Sequence, residues 1–300
     1  MPLRQAATLA IGVVAVGFAA IFIRLADAPS LTIALYRNAL AAAVLLPLAL
    51  TRHRDEIRKL SRRQWLIALG SGALLAIHFA TWISSLALTT VAASVVLVTT
   101  GPIFTAAGQR VFLHEPVSRR TFEGILVGLA GTAIVAGGGF ALSSSAAVGD
   151  LLALAGAVTA AGYFLAGRSL RRDVSLLTYV ALVYATCAVL LFLMVLVSGA
   201  ALTGFDGQTW VMFVLLALVP QLVGHTTFNY LLRDLDATFV AIAVMGEPVV
   251  STLLALGFFG EVPPWTAVAG GLLILAGIYV AAAGEGRRGR RPHEVPVALE

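Results

Sequence analysis

Polar side chains set at helical spacing inside apolar runs are the groups in this 300-residue sequence equipped for chemistry. Ser71, His78, Trp82 and Ser85 fall at i−7, i, i+4 and i+7, which is one helical face. Gln221, His225 and Asn229 follow at successive i+4 steps, and Thr159 and Tyr163 form another such pair. Glu247 and Ser251 share a further run, and Arg37, between Tyr36 and Asn38, lies inside yet another. Imidazoles, an amide and indole and phenol rings supply donors, acceptors and π faces, the equipment for holding a small polar solute. The stripes are expected to line a wet central cavity, because polar groups at membrane depth need a partner or water. Each has a bland alternative: Ser and Thr bond their own helix backbone, and a lone His or Asn ties helices together. Glu247 lies far from both ends of its run, so it must be protonated, paired or facing an aqueous path. Arg37 is expected to meet a carboxylate or to reach the outer interface. Glu115 and Glu261 read as structural groups, holding loop backbone or a neighbouring basic side chain.

The elements that position these residues are membrane helices. The chain is 59% hydrophobic and 12% charged, with a mean hydropathy of +0.95, where a soluble domain carries about 25% charged residues. Too little polar surface remains to cover a soluble core. About 20 apolar residues cross a bilayer core of about 30 Å, and such runs fall at 6–23, 30–50, 64–88, 91–113, 120–140, 150–167, 175–198, 209–232, 237–261 and 265–283. The fold class expected is an all-α membrane protein of ten transmembrane helices. The first run, with Ala26-Asp27-Ala28 after it, imitates a signal peptide, but it exceeds the usual apolar region of about 7–15 residues and counts as a helix. The single cysteine, Cys187, permits no intramolecular disulfide and reads as a small packing residue.

The runs repeat. Pro102 and Pro248 are 146 positions apart (248 − 102), and the same offset pairs Glu115 with Glu261, Gly124 with Gly270 and Gly131 with Gly277. One residue less pairs Gly17 with Gly162 and Trp65 with Trp210. The expected division is a five-helix repeat at 1–140, a linker at 141–149, a second repeat at 150–284 and a disordered basic tail at 285–300. Five is odd, so the repeats are expected to be inverted. With the amino terminus in the cytoplasm, eighteen of the twenty Lys and Arg, all but Arg24 and Arg37, face inward. Both termini are therefore expected in the cytoplasm. Inverted repeats place substrate near the midplane beside interrupted helices. A proline removes a backbone hydrogen bond, and the matched Pro102 and Pro248 read as a hinge.

The pattern Pro102…Glu115…Gly124…Gly131 and Pro248…Glu261…Gly270…Gly277 resembles the drug/metabolite transporter superfamily, specifically bacterial ten-helix proteins with two EamA-type domains. Arg37 is similar to the basic residue that family carries in its second helix, and its counterpart Leu182 departs from the pattern. The resemblance implies a secondary transporter or facilitator that exports small metabolites, amino acids foremost, across the inner membrane. Other metabolites or drugs are the alternative cargo. No G-x-x-x-x-G-K-[ST] segment is present, so the chain itself is not expected to use ATP.

On this reading His78, Trp82, Tyr163, His225 and Asn229 bind substrate. Glu247 is the proton-coupling candidate, since a carboxyl in low dielectric can cycle its proton, and Arg37, Pro102 and Pro248 serve coupling or gating. The partners expected are a small solute and the lipid bilayer, with no nucleic acid, cofactor or metal. A rival reading, an intramembrane metalloenzyme using His78, His225 and Glu247, lacks a close-spaced ligand motif such as H-E-x-x-H. A membrane scaffold or sensor on the same fold is a second rival, and it would move no solute.

Overall fold

A computed structural model describes residues 2–137 and 144–288, and every regular element among them is helical. The first repeat comprises α1 (Leu3–Leu25), α2 (Ser30–Arg52), the short α3 (Arg54–Lys59), α4 (Arg62–Ser85), α5 (Val91–Val98), α6 (Gly101–Phe112) and α7 (Arg119–Val135). The second comprises α8 (Ser144–Leu170), α9 (Leu176–Ser198), α10 (Gly207–Leu216), a π-helical segment (Ala217–His225), α11 (Thr226–Leu231), α12 (Ala237–Val244), α13 (Glu247–Phe259) and α14 (Trp265–Arg288). Among the described residues nine spans are long and apolar enough to cross a membrane. The 17-residue α7 is the tenth. The protein is an all-α membrane protein of two five-span repeats.

Local chemistry starts these helices. Ser61 and Gln64 form a capping box on α4, and Thr90, Ser118, Ser175 and Asp206 each accept a hydrogen bond from the backbone N–H three residues on. The repeat extends to individual backbone bonds. Ala87 N donates to Ser84 O and Leu88 N to Ser85 O; Arg233 N donates to Tyr230 O and Asp234 N to Leu231 O, each 146 later (233 − 87).

The fourth span of each repeat departs from expectation: it is two helices rather than one hinged helix. Thr100 N bonds Leu97 O where the first ends, and Gly246 N bonds Ala243 O at the mate position. Pro102 and Pro248 sit inside the first turn of the second helix, not in mid-helix. A first-turn N–H has no helical acceptor, so proline costs little there. In the first repeat the Thr99 and Thr100 hydroxyls bond back to Val95 O and Leu97 O and compete with the helix ladder.

The inversion is visible where α7 crosses α14. A Cβ added at Gly124 would lie 2.5 Å from Gly277 O, and one at Gly131 2.6 Å from Gly270 O. Each glycine meets the repeat mate of the other, as antiparallel helices about a twofold axis must. Lacking side chains, the backbones close to direct contact.

Two boundaries need correction. From Ser144 the expected linker is already α8, because Ala146 is buried and Gly149 abuts Leu88 and Thr89, whose hydroxyl donates to Asp150. Positions 141–143 lie outside the described residues. The tail expected from 285 continues α14 as far as Arg288, and 289–300 lie outside the described residues. The fifth span ends at Val135, with Gly137 in the left-handed region (φ 63°).

Candidate functional site: a cavity between the repeats

A cavity of about 480 Å³ lies between the repeats, within the size range of small-molecule sites. Arg37, His78, Trp82, Pro102, Tyr163, His225, Glu247 and Pro248 are all on its wall. Asn229 is not. Most of the remaining wall is apolar, from Val16 on α1 to Val95 on α5 and Ala241 on α12. Phe79, Phe164 and Phe228 also line it; an apolar residue in an apolar run gave no signal for that role.

Arg37 neither pairs with a carboxylate nor reaches the interface. Only 3% exposed, it donates from Nε to Gln221 Oε1 at 2.7 Å and lays its guanidinium over the Phe79 ring at 4.6 Å. The planar fork makes both contacts at once, which an ammonium cannot. Glu247, from the other repeat, is the first residue of α13, where helix N–H groups favour a carboxylate. Both groups line the cavity, and no direct ion pair joins them among the described residues. A guanidinium and a carboxyl group thus face one cavity from opposite repeats.

His78 Nδ1 lies 2.9 Å from Gly156 O. A carbonyl only accepts, so Nδ1 carries the proton and a neutral ring keeps Nε2 as an acceptor. The ring stacks on Trp82 (5.9 Å, 11°), whose buried Nε1–H has no partner among the described residues. The His225 ring centre sits 5.8 Å from that of Phe79 and 6.2 Å from that of Tyr163, its buried Nδ1 also without a partner among the described residues. His225 ends the π-helical segment, which contains Pro220. The missing N–H at Pro220 breaks the regular ladder and a wider turn takes its place. The sequence reading passed over Pro220 and took 209–232 as one regular helix.

Asn229 stands behind the wall. Its amide nitrogen donates to Tyr163 Oη at 2.5 Å and to His225 O at 2.9 Å, with Tyr184 Oη at 3.4 Å. The π-helical turn that ends at His225 changes the angular step between Gln221 and His225, so the i+4 stripe is not one face, and Asn229 meets Tyr163 and Tyr184 instead of the cavity. It holds the Tyr163 hydroxyl from behind the wall. The bland alternative applies to three others: Ser71 bonds Tyr179, Ser85 bonds Ser94, and Thr159 bonds its own helix. Among the described residues no three His, Cys, Asp or Glu side chains converge as a metal-ligand set.

The two ends of the cavity differ. At the face carrying Leu3 and α3, called here the basic face, α6 packs against α12, and Gln109 Oε1 accepts from Thr238 N (3.1 Å) and Oγ1 (2.7 Å). Gln109 thereby caps α12 from the other repeat, where the Asp236 side chain does not. Every α12 residue except Val244 is buried, whereas α13 buries none. The repeat mates α5 and α13 form no comparable interface at the opposite face. Each hairpin glutamate meets a basic group: Glu115 pairs with Arg172 and with Arg168 (3.4 Å), and Glu261 with Arg24 (2.5 Å).

Two repeats around an inter-repeat cavity are the build of a membrane transporter, and comparison with known proteins agrees. The model of the EamA-like transporter family matches residues 4–137 and 147–283, and the chain belongs to that family. It is 25% identical over 273 residues to an uncharacterised transporter of Archaeoglobus fulgidus, covering 89% of this chain and 92% of that protein. It is 29% identical over 186 residues to a probable terminal-alkyne amino-acid exporter of Streptantibioticus cattleyicolor, covering 61% of each. A crystal structure superimposes with a TM-score of 0.82 at 21% identity, over 97% of this chain and all of the other, which shows the shared fold.

Proposed function

We propose that the protein is a secondary transporter or facilitator that exports small metabolites, amino acids foremost, by alternating access. The observation that carries this reading is the placement of a guanidinium and a carboxyl group: Arg37 and Glu247 face one largely apolar cavity from opposite repeats, with no direct ion pair between them among the described residues. A zwitterion fits between them, its carboxylate towards Arg37 and its ammonium towards Glu247. The acceptor on His78 and the Trp82 indole N–H serve its remaining polar atoms, and the apolar wall takes its side chain. The name of the Streptantibioticus relative supports the same cargo class. Eighteen of twenty basic residues on one side support an inner-membrane setting with both termini cytoplasmic. In that orientation the cavity is closed towards the cytoplasm and open outward. Pro102 and Pro248, at the two helix breaks, allow the half-helices to move apart.

The test is efflux from proteoliposomes loaded with a panel of labelled amino acids, other metabolites and drugs. Wild type is compared with His78→Ala, Arg37→Gln and Glu247→Gln. The reading expects an amino acid to move and all three variants to slow it. Unchanged efflux in the three variants detaches the cavity from the pathway. Efflux indifferent to an imposed pH gradient removes Glu247 as a proton-coupling group.

A further inference from the structure

We propose that Arg168 and Arg24 are the two alternating latches of the transport cycle, a reading that rests on the alternating access proposed above. Each is held at the end of the first helix of its repeat by the hairpin glutamate of the other repeat: Arg168 by Glu115 and Arg24 by Glu261. The two glutamates are repeat mates in conformation as well as sequence. Glu115 N bonds Gln109 O and Glu261 N bonds Ala255 O, the same bond 146 residues later (261 − 115).

What the two arginines reach beyond their glutamates differs. Arg168 donates from Nη1 to Leu232 O at 3.0 Å and Arg233 O at 2.9 Å, and its Nη2 lies 3.9 Å from Asp236. Its side chain is 10% exposed. These bonds tie the α11–α12 turn to the end of α8 and hold α12 against α6, which shuts the basic face. The mate of that turn joins α4 to α5 and presents Leu86 and Ala87 at the corresponding positions (232 − 146 and 233 − 146). Arg24 donates to neither carbonyl. Its side chain is 57% exposed and its guanidinium lies 4.4 Å over Phe259. One latch is fastened and the other undone, matching the face where α6 packs on α12 and the face where α5 and α13 form no comparable interface.

Exchange of the two repeat conformations gives the other state. There Arg24 takes the carbonyls of Leu86 and Ala87 and draws α5 against α13. Arg168 releases Leu232 and Arg233 and keeps only Glu115. The glutamates hold the arginines in both states, and the turn carbonyls are what is exchanged. Only a guanidinium has enough donors in a fixed fork to hold a carboxylate and two carbonyls together.

The test separates conformation from transport. In a Cys187→Ser background, Thr105→Cys is introduced on the α6 wall of the cavity, and a membrane-impermeant thiol reagent is applied from the basic face. Arg168→Gln is expected to raise the labelling rate about tenfold, the worth of one hydrogen bond to a charged group. Arg24→Gln is expected to lower it below wild type, and the double variant to return towards wild type. Arg168→Lys is expected to fall between wild type and Arg168→Gln. Opposite signs with mutual compensation are something a merely destabilising change does not produce. If Arg168→Gln folds poorly, Arg24→Gln and Arg168→Lys still decide the matter. Labelling unmoved by the arginine variants, or shifted in one direction by both, overturns the latch. If saturating transported substrate leaves wild-type labelling unchanged, it is alternating access itself that has failed.

Discussion

Replacing Gly131 by alanine puts one methyl where two backbones already touch. The added Cβ would stand 2.6 Å from Gly270 O, 2.7 Å from Ile274 N and 2.9 Å from Leu273 Cβ, where ordinary contact begins at 3.4 Å. Two of the three neighbours are backbone, so no rotamer change relieves them. Helices α7 and α14 must separate by most of an ångström, and overpacking of this kind costs about 1–3 kcal/mol, here towards the upper end. Alanine returns about 1 kcal/mol of helix propensity. The net loss is about 2 kcal/mol, or about 4–8 °C in melting temperature for a chain of this order. Gly70→Ala is the control, because nothing lies within 4 Å of its added Cβ and only the propensity gain remains. The assay is thermal melting in detergent, followed by size-exclusion recovery. Gly270→Ala is expected to match Gly131→Ala, and the double variant to fall by less than the sum, since both open one contact. A Gly131→Ala protein melting at or above wild type, or a Gly70→Ala protein melting as low, refutes the close-contact reasoning.

Three further outcomes follow from the geometry. Burial opposes the charge on Glu56, but the Ser175 hydroxyl and amide, Thr178 and His53 outweigh it and hold the carboxyl at about 2, below its ordinary 4.5. A depressed carboxylate stabilises above the unfolded value and loses that contribution as pH falls towards 2. Glu56→Gln should therefore melt below wild type at pH 7, by about 1–2 kcal/mol after allowing for solvent screening, and the gap should close between pH 4.5 and 2. Asn229→Leu should raise the half-saturating substrate concentration roughly fivefold by loosening Tyr163, the worth of one neutral hydrogen bond; a hundredfold rise in efflux assays would instead mean that Asn229 touches substrate. Arg37→Lys keeps the charge but loses the fork shared by Gln221 and Phe79, and initial efflux should drop about tenfold or more.

The sequence made the spans and their symmetry legible because glycine and proline leave marks that hydropathy does not blur. Gly124, Gly131, Gly270 and Gly277 marked the repeat at a fixed offset; that they meet where α7 crosses α14 is visible only in the structure. The cavity wall was legible to the extent that polar residues in lipid need a reason, which found His78, Trp82, Tyr163, His225, Arg37 and Glu247. Helical spacing alone did not say where a stripe turns away, so Asn229 was set one layer too far forward. Pro102 and Pro248 signalled an interruption, yet whether a proline kinks a helix or starts a new one depends on the preceding turn. In the first repeat the Thr99 and Thr100 hydroxyls compete for the ladder carbonyls there, whereas Met245 and Gly246 make the same break without them. The capping of α12 by Gln109 joins residues 129 apart, a distance across which no periodicity speaks.

The glycine crossing also bears on ancestry. A half-length chain pairing with an upside-down copy of itself would meet the same two glycines at both ends of the seam, but would also present every cavity residue twice. Two Arg37 side chains would then face two Glu247 side chains. In the fused protein Leu182 stands opposite Arg37, and Gly101 opposite Glu247 (247 − 146). A single chain can thus keep a symmetric seam while the two walls of its chamber carry different groups.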